Sequence, residues 1–317
     1  MSDERILCFV KREARPLFPP ESAPRLAYVS RTLPSDRAYH SILHAHRDLA
    51  EILLICGGEG RFLVGESFYD VKAGDLLLYN SGVVHDELSS PDNAISAYCA
   101  GIAGLRLPGL RENALVDDGA PALFRVGEEL EDLRLLYDMM YRSLLEDRAG
   151  CETLCHHLML ALLSRIFQFT GDAPRRDRAE TEPKALGRQV QAYIDGHFSE
   201  PLTLQDMGRA LHVSPYYLSH VFKDMTGYSP GQYIMRRRIG LAQNLLISTN
   251  LTVSEVAARV GYPSPSHFHD RFVKNVGMSP RAYRKTYVVH SKSQDPASLQ
   301  PPTPEKPPAG RKSPARS

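Results

Sequence analysis

The chain lacks any uninterrupted apolar run long enough to span a bilayer, and its first residues carry charges around a very short apolar stretch rather than a signal peptide. These absences predict a cytoplasmic protein without a membrane segment. Cysteine is scarce as well, and an odd, scattered set of five argues against a disulfide framework. What is present is a 317-residue chain of ordinary composition, 43% hydrophobic and 24% charged, long enough for two domains.

The net charge of +1 conceals an uneven distribution along the chain. Residues 1–183 hold 20 basic and 29 acidic side chains, whereas residues 184–288 hold 13 and 6. A basic region that follows an acidic one indicates that only the C-terminal region meets phosphate. Charge alone is also compatible with a solvated helical surface, so a prediction of nucleic-acid binding needs a motif.

Short apolar runs separated by Gly, Asn and Asp fill the region from about residue 25 to 105, which predicts an antiparallel barrel or jelly roll. After this region, apolar residues at helical spacing predict two amphipathic helices that separate near Asp147–Gly150. The predicted fold class is therefore α+β: an N-terminal antiparallel β-barrel with a helical region, and an all-α C-terminal domain.

The same patterns predict the domain boundaries. Residues 1–126 form the barrel, and residues 127–170 form a helical region suited to dimerisation. Residues 171–185 contain prolines and charges without apolar periodicity, which is typical of a linker. Residues 186–288 form the helical domain. Residues 289–317 hold many prolines among Ser, Lys and Arg, which predicts a disordered basic tail.

A repeat near the C-terminus is the strongest signal in the chain. One set of residues recurs 50 positions later, with the lysine one place late: Phe222, Lys223, Gly227, Ser229, Pro230 and Tyr233 return as Phe272, Lys274, Gly277, Ser279, Pro280 and Tyr283. A short repeat of this kind predicts two copies of one helical unit. Residues suited to helix N-caps precede each copy, Thr203 and Ser214 in the first and Thr252 in the second, where Pro263-Ser264-Pro265 leads into the next helix. They predict a helix-turn-helix in each copy.

Residues 186–285 resemble the DNA-binding domain of the arabinose-regulator (AraC/XylS) family of bacterial transcription factors. Besides the repeat, the resemblance is carried by the middle helix, Arg238-Ile239-x2-Ala242-x2-Leu245-Leu246, and by Val256-Ala257-x2-Val260-Gly261-Tyr262. It implies binding to specific sequences of double-stranded DNA. Two recognition helices in successive major grooves must lie about one helical turn, ~34 Å, apart.

By this resemblance, the outward-facing residues of the two recognition helices are candidates for contact with base edges: Tyr216, Ser219, His220, Pro265, Ser266, His269 and Asp270. Lys223, Lys274, Arg236 and Arg237 are candidates for phosphate contacts, which Lys and Arg dominate. Family members often have Arg in place of His220 and Asp270, and an Asp suits the cytosine N4 donor better than a phosphate.

The barrel region resembles cupins through His44-Ala45-His46-x4-Glu51-x6-Gly58 and Gly74-x5-Asn80-Ser81-Gly82-x2-His85, in which Asn80 replaces the usual proline. In metal-dependent cupins the matching positions bind a divalent transition metal, which three imidazoles and a carboxylate suit. The resemblance implies an effector pocket or a metal site at His44, His46, Glu51 and His85. The sequence identifies no cofactor with certainty.

Together these features predict a transcription regulator, not an enzyme, that responds to a small-molecule effector in the barrel. Its predicted partners are double-stranded DNA, the effector, a second copy of the chain and, for an activator, RNA polymerase. Two alternatives use the four barrel residues differently: a metal-dependent cupin enzyme, such as a dioxygenase or isomerase, and a metal sensor. A structural nucleoid-type protein ranks last, because two separate recognition helices exceed what nonspecific binding needs.

Overall fold

The computed structural model describes residues 16–18, 22–34, 42–88, 95–170 and 182–287. An antiparallel barrel, a helical hairpin and a helical domain follow one another along the chain, which confirms the predicted α+β fold class. The predicted tail, residues 289–317, and most of the predicted linker lie outside the described residues. Within the described ranges, no helix combines the length and the apolar character that crossing a membrane requires.

The barrel is built from two antiparallel sheets. Its strands are β1 (Arg25–Thr32), β2 (Leu49–Gly57), β3 (Glu59–Val64), β4 (Ser67–Lys72), β5 (Asp75–Tyr79), β6 (His85–Leu88), β7 (Ser96–Ala103) and β8 (Leu123–Arg125). The larger sheet has the order β1-β7-β2-β5-β8, and the smaller sheet has the order β4-β3-β6. Gly65 and Gly74 have φ values of 59° and 86° in the turns on either side of β4, a conformation that glycine adopts without strain.

Strand alternation separates the two faces of the larger sheet. Leu53 and Ile55 of β2 belong to the apolar core between the sheets, whereas Ile52 and Leu54 pack beneath the helical hairpin. Glu51 shares the inward direction of Leu53. The barrel interior is therefore apolar along most of its length and carries a buried carboxylate at one end.

The helical hairpin consists of α1 (Leu130–Glu146) and α2 (Cys151–Thr170), which separate where the sequence predicted. It covers the outer face of the larger sheet, and the hydroxyl of the fully buried Tyr137 donates to the Ile52 carbonyl oxygen over 2.7 Å. None of the cysteines in the described part of the chain, Cys56, Cys99, Cys151 and Cys155, forms a disulfide bond.

The C-terminal domain contains α3 (Glu182–His197), α4 (Leu204–Ala210), α5 (Pro215–Thr226), α6 (Pro230–Ser248), α7 (Val253–Arg259), α8 (Pro265–Val276) and α9 (Pro280–Tyr287). Helix α3 begins at Glu182, so residues 182–185 at the end of the predicted linker are helical. The apolar core of this domain also includes Ile42, Leu43, Leu63 and Val84 of the barrel. The barrel and the helical domain are therefore packed together.

Candidate DNA interface and barrel site

The first helix-turn-helix consists of α4 and α5, and both predicted N-caps are confirmed. Thr203 forms a capping box with Asp206 at the start of α4, and the Ser214 hydroxyl accepts from Tyr217 N at the start of α5. Each cap satisfies backbone donors that helix ends leave unpaired and contributes about 1 kcal/mol. Between the helices, His212 has a φ of 55°, a left-handed conformation that closes the turn.

The second helix-turn-helix consists of α7 and α8 and repeats the same construction. Thr252 forms a capping box with Glu255, and the Ser264 hydroxyl accepts from His267 N. Gly261, with a φ of 86°, takes the place that His212 has in the first unit. The additional residue of the second unit lies between Gly261 and Ser264, which accounts for the change in repeat spacing.

The repeated residues themselves are structural. Gly227 and Gly277 end α5 and α8 in left-handed conformations. Each repeated Phe packs edge to face on the repeated Tyr, with ring centroids 5.1 Å apart for Phe222 and Tyr233 and 5.5 Å apart for Phe272 and Tyr283. The repeat therefore specifies two equal scaffolds and leaves the outward residues of α5 and α8 free to differ.

The candidates for base contacts lie on the outer surface of the two recognition helices, with Tyr216 exposed by 75%. His220, Pro265, Ser266, His269 and Asp270 are exposed, and Ser219 is half-buried. The phosphate candidates Lys223 and Lys274 are also exposed. All of these side chains are accessible for contact with DNA, and the assignment of each contact stays a prediction.

The predicted phosphate contacts of Arg236 and Arg237 stay predictions, and in this arrangement both guanidinium groups bind other parts of the protein. Arg236 pairs with Asp86 of the barrel, and Arg237 donates from Nε to Asp195 Oδ1 over 2.7 Å. Arg237 is only 8% exposed. Helix α6 is covered by the barrel on one side and by α3 on another, so neither arginine faces solvent for a phosphate in this arrangement.

Sequence reasoning missed two exposed residues on the same surface. Arg271 lies on α8 with its Nε 3.4 Å from His267 Nε2, and Tyr217 is 49% exposed on α5. The positive charge of Arg271 could have marked it as a candidate for contact with DNA. The buried pattern of Phe268 and Phe272 identifies the inner face of α8 but does not rank the exposed positions of that helix.

The barrel site is built on a backbone bridge between two histidines. His44 N donates to His85 O over 3.0 Å, and His85 N donates to His44 O over 2.9 Å. The Tyr79 ring stacks on His85 at a centroid distance of 4.1 Å, and His85 Nδ1 lies 3.0 Å from the Val83 carbonyl oxygen. These contacts direct His85 Nε2 at Glu51, 2.9 Å from Oε2.

All four residues predicted from the cupin motifs meet at this end of the barrel. His44, Glu51 and His85 are buried, and one ligand atom of each lies within 4.8 Å of the others. His46 lies at the edge of this group, with its Nε2 3.4 Å from Glu51 Oε1. The Tyr28 hydroxyl also donates to Glu51 Oε1. We call His44, His46, Glu51 and His85 the barrel site.

The charges of the barrel site depend on one another. Burial alone would raise the pKa of Glu51, but the nearby His46 and His85 outweigh it and hold that pKa well below its usual range. Burial opposes a charge on His46, yet Glu51 overcomes this effect and raises the pKa of His46. Burial, together with His85 and His46, holds the pKa of His44 well below its usual range. At neutral pH the site therefore offers a carboxylate and a neutral imidazole, the forms that bind a cation.

One buried atom of the barrel site, His44 Nδ1, has no hydrogen-bond partner among the described residues. Such an unpaired buried atom costs about 1–3 kcal/mol. A cation that accepts an electron pair from this nitrogen would remove the cost. His85 is held through its other ring nitrogen by the Val83 carbonyl, an arrangement common for histidines that bind metals. The residues therefore fit a divalent transition metal.

Asn80, the departure from the cupin pattern, has a structural role. Its side chain accepts from Leu115 N over 2.8 Å and donates to the Val116 carbonyl oxygen over 2.9 Å. It also donates to Asp118. A proline could make none of these side-chain bonds. Asn80 therefore fastens the loop before β8 to the end of β5, outside the barrel site.

The C-terminal geometry defines a DNA-binding protein with two helix-turn-helix units on one connecting helix, joined to a barrel with an enclosed polar site. The family model "Helix-turn-helix domain" matches residues 207–286, and the model "AraC-like ligand binding domain" matches residues 28–163. The chain belongs to the AraC family of helix-turn-helix transcription regulators, which confirms the predicted DNA-binding regulator with an N-terminal ligand-binding domain.

Regulators from other bacteria are similar over most of the chain. The uncharacterized HTH-type transcriptional regulator YdiP of Escherichia coli (strain K12) is 24% identical over 272 residues, 86% of this chain and 89% of that protein. The lactose operon transcription activator of Staphylococcus xylosus is 22% identical over 244 residues, 75% of this chain and 85% of that protein. The crystal structure of ToxT from Vibrio cholerae matches with a TM-score of 0.43 at 12% identity, over 84% of this chain and 99% of that chain.

Proposed function

We propose that this regulator is controlled by a ligand in the barrel site, and that the ligand is a divalent transition metal. The observation that carries the proposal is the unpaired buried atom His44 Nδ1, on a residue that lies with Glu51 and His85 in one buried group of possible metal ligands. When bound, the metal would supply a positive charge that draws these side chains together. The neighbouring interior is packed with apolar side chains such as Leu53 and Ile55, so a bound ion would find its partners among the polar side chains of the barrel site.

A cleft at the edge of the barrel supports a second candidate, a small organic effector. The cleft has a volume of about 580 Å³ and is lined by residues of the barrel, by Arg111 and by Arg188 of α3. This volume falls within the usual range for ligand pockets, about 300–1,000 Å³. Its arginines are already paired, Arg111 with Asp118 and Arg188 with Glu66. A ligand would have to break these pairs, so this candidate is the weaker one.

The alternative of a metal-dependent enzyme uses the same barrel site. The curated relatives described above are named as regulators, and the paired helix-turn-helix units have no role in such an enzyme. We therefore propose that the barrel site serves regulation without turnover.

Metal titration of the full-length protein tests the barrel site. After treatment with a chelator, the protein is expected to bind about one Co²⁺ per chain, with an absorption spectrum of nitrogen and oxygen coordination. His85→Ala is expected to weaken binding at least about 100-fold, because even residues that only orient a ligand change affinity 10–100-fold. Calorimetry and visible absorption measure the two effects.

The control for this experiment is His157→Ala, which removes an exposed histidine of α2 whose ring contacts the Thr153 carbonyl oxygen. Its Co²⁺ affinity should equal that of the unaltered protein. Equal affinities in the unaltered protein and His85→Ala, or no binding at micromolar Co²⁺, would show that the barrel site is not a metal site.

A further inference from the structure

The barrel site and the helical domain lie on opposite sides of the backbone bridge between His44 and His85. His44 and His85 point into the barrel, and their neighbours Leu43 and Asp86 point the other way, because successive strand residues face opposite sides. Leu43 N donates to Asp86 Oδ1 over 3.1 Å, and Leu43 is part of the core shared with the helical domain. Any displacement of the His44–His85 bridge therefore moves Leu43 and Asp86 with it.

Asp86 binds the helical domain through both carboxylate oxygens. Arg236 donates from Nε to Oδ2 and from Nη2 to Oδ1, each over 2.8 Å. The Tyr228 hydroxyl donates to Oδ2, also over 2.8 Å. Asp86 is 1% exposed, and bidentate pairs of this kind are strong and directional. We call Asp86, Tyr228 and Arg236 the Asp86 contact.

Helix α6 also lies directly against the ligand end of the barrel. A Cβ added to Gly240 would lie 2.2 Å from the Ile42 carbonyl oxygen, so only glycine fits at this distance. One turn further, Gln243 Oε1 accepts from Ile42 N over 3.0 Å. Asn244 Nδ2 lies 3.3 Å from Nδ1 of His46, a member of the barrel site. The helix that joins the two helix-turn-helix units thus closes the end of the barrel where the ligand would bind.

Arg236 cannot hold Asp86 and a DNA phosphate at the same time. In this arrangement, with the barrel docked on α6, Arg236 Nε and Nη2 both donate to Asp86. The Arg236 side chain is only 20% exposed. The barrel also covers the face of α6 that carries Gly240. Docking therefore removes one cation from the DNA-binding surface and fixes α6 against the barrel.

We propose that this docked arrangement is the low-affinity state for DNA, and that a ligand in the barrel site weakens docking and releases Arg236. The proposal rests on the effector site proposed above. A ligand held by His46 would compete with its contact to Asn244. A ligand held by His44 and His85 would act on the bridge whose other side carries Asp86. A ligand that binds the undocked state better shifts the population toward it, and DNA then binds more tightly.

Two substitutions in the full-length chain are designed to weaken docking, one in the barrel and one in the helical domain. Asp86→Asn removes the charge that holds Arg236 and leaves Arg236 available to DNA, whereas Gly240→Ala places a methyl group against the Ile42 carbonyl. Without ligand, each is expected to bind operator DNA about tenfold more tightly, within the range typical of coupled sites. The operator DNA comes from selection of genomic fragments by the unaltered protein.

Each substitution has a matched control. Gly231→Ala lies on the same helix, where an added Cβ meets no atom of the described residues within 4 Å. Asp75→Asn alters another buried carboxylate, whose partner Arg125 belongs to the barrel itself. Neither control should change DNA affinity. Amide hydrogen exchange should quicken at residues 42–46 in Asp86→Asn and Gly240→Ala only.

The outcomes distinguish this inference from the metal proposal. Co²⁺ should tighten DNA binding by the unaltered protein about as much as the substitutions do and add little to the substituted proteins. Unchanged or weaker DNA binding by both Asp86→Asn and Gly240→Ala, with native circular dichroism, overturns the docking proposal. Tighter binding by both, with no Co²⁺ binding by the unaltered protein, supports docking and refutes the metal.

Discussion

His212 and Gly261 occupy the same place in two repeated turns, yet only one of them is glycine. Both have positive φ values, 55° and 86°, a conformation that costs a residue with a side chain roughly 1–2 kcal/mol. The surroundings differ as well. A Cβ at Gly261 would lie 2.3 Å from the Ser199 carbonyl oxygen, whereas His212 is exposed. The first turn therefore tolerates strain that the second cannot.

Exchanging these residues tests the account. His212→Gly is expected to raise the free energy of unfolding by about 0.5–1 kcal/mol, because relief of strain exceeds the added freedom of the unfolded chain. Gly261→Ala is expected to lower it by about 2–3 kcal/mol through strain and the clash with Ser199. Urea denaturation measures both, and a less stable His212→Gly protein would contradict this explanation.

At the scale of single elements, local signals in the sequence predicted the helix-turn-helix units well. Caps such as Thr203 and Ser214 act within four residues of themselves, so their pattern is visible without a fold. The roles of the α6 arginines were not predictable in this way. The partner of Arg236 is Asp86, 150 positions earlier, and no local spacing indicates such a pair.

Lys223 and Lys274 lie in the last turns of α5 and α8, and their predicted phosphate contacts can be tested by salt dependence. Alanine at either position should weaken binding to operator and random DNA alike and lower the slope of log K against log salt by about 0.9. His269→Ala should instead lower the preference for operator by about 1–3 kcal/mol at an unchanged slope. Fluorescence anisotropy at several salt concentrations measures both.

Arg142→Ala provides the control for these variants, because Arg142 is an exposed cation of α1, paired with Asp138. Its DNA affinity and salt slope should match those of the unaltered protein. If the two lysine variants keep the full slope, the recognition helices do not present these lysines to phosphate.

At the scale of the whole molecule, the sequence predicted the barrel site but not its neighbour. The four site residues were identified from the spacing of two strand motifs, and the fold brings all four together at one end of the barrel. Docking of α6 depends on single residues such as Gly240 and Asn244. Asn244 contacts His46, which lies 198 positions earlier in the sequence. Neither composition nor periodicity carries that information.

The outer surface of the helical hairpin supports the predicted dimer, which stays a proposal. Four large apolar side chains of α1 and α2 are exposed: Leu135 by 56%, Met139 by 36%, Leu145 by 58% and Leu154 by 45%. Leu135 and Met139 lie one turn apart on α1 and therefore share a face, and exposed apolar patches often mark contacts between proteins. A second copy of the chain would cover them and place two DNA-binding domains on neighbouring sites, as symmetric regulators do.

The double variant Leu135→Lys and Leu145→Lys should therefore dissociate the protein into monomers, because a buried unpaired lysine opposes association. Sedimentation velocity measures the change. Ile247→Lys, at an apolar residue of α6 exposed by 40%, is the control and should leave the assembly intact. A monomeric unaltered protein at micromolar concentration would refute the dimer.

The close approach at Gly240 has a consequence for how this regulator evolves. Alanine and glycine codons differ by a single base, so one mutation suffices to place a methyl group between α6 and the barrel. Because such a change disturbs neither recognition helix, the altered protein would keep its operators and lose its dependence on the signal. Selection for regulation that no longer depends on the ligand should recover this substitution repeatedly, and reversion to the regulated form is equally simple.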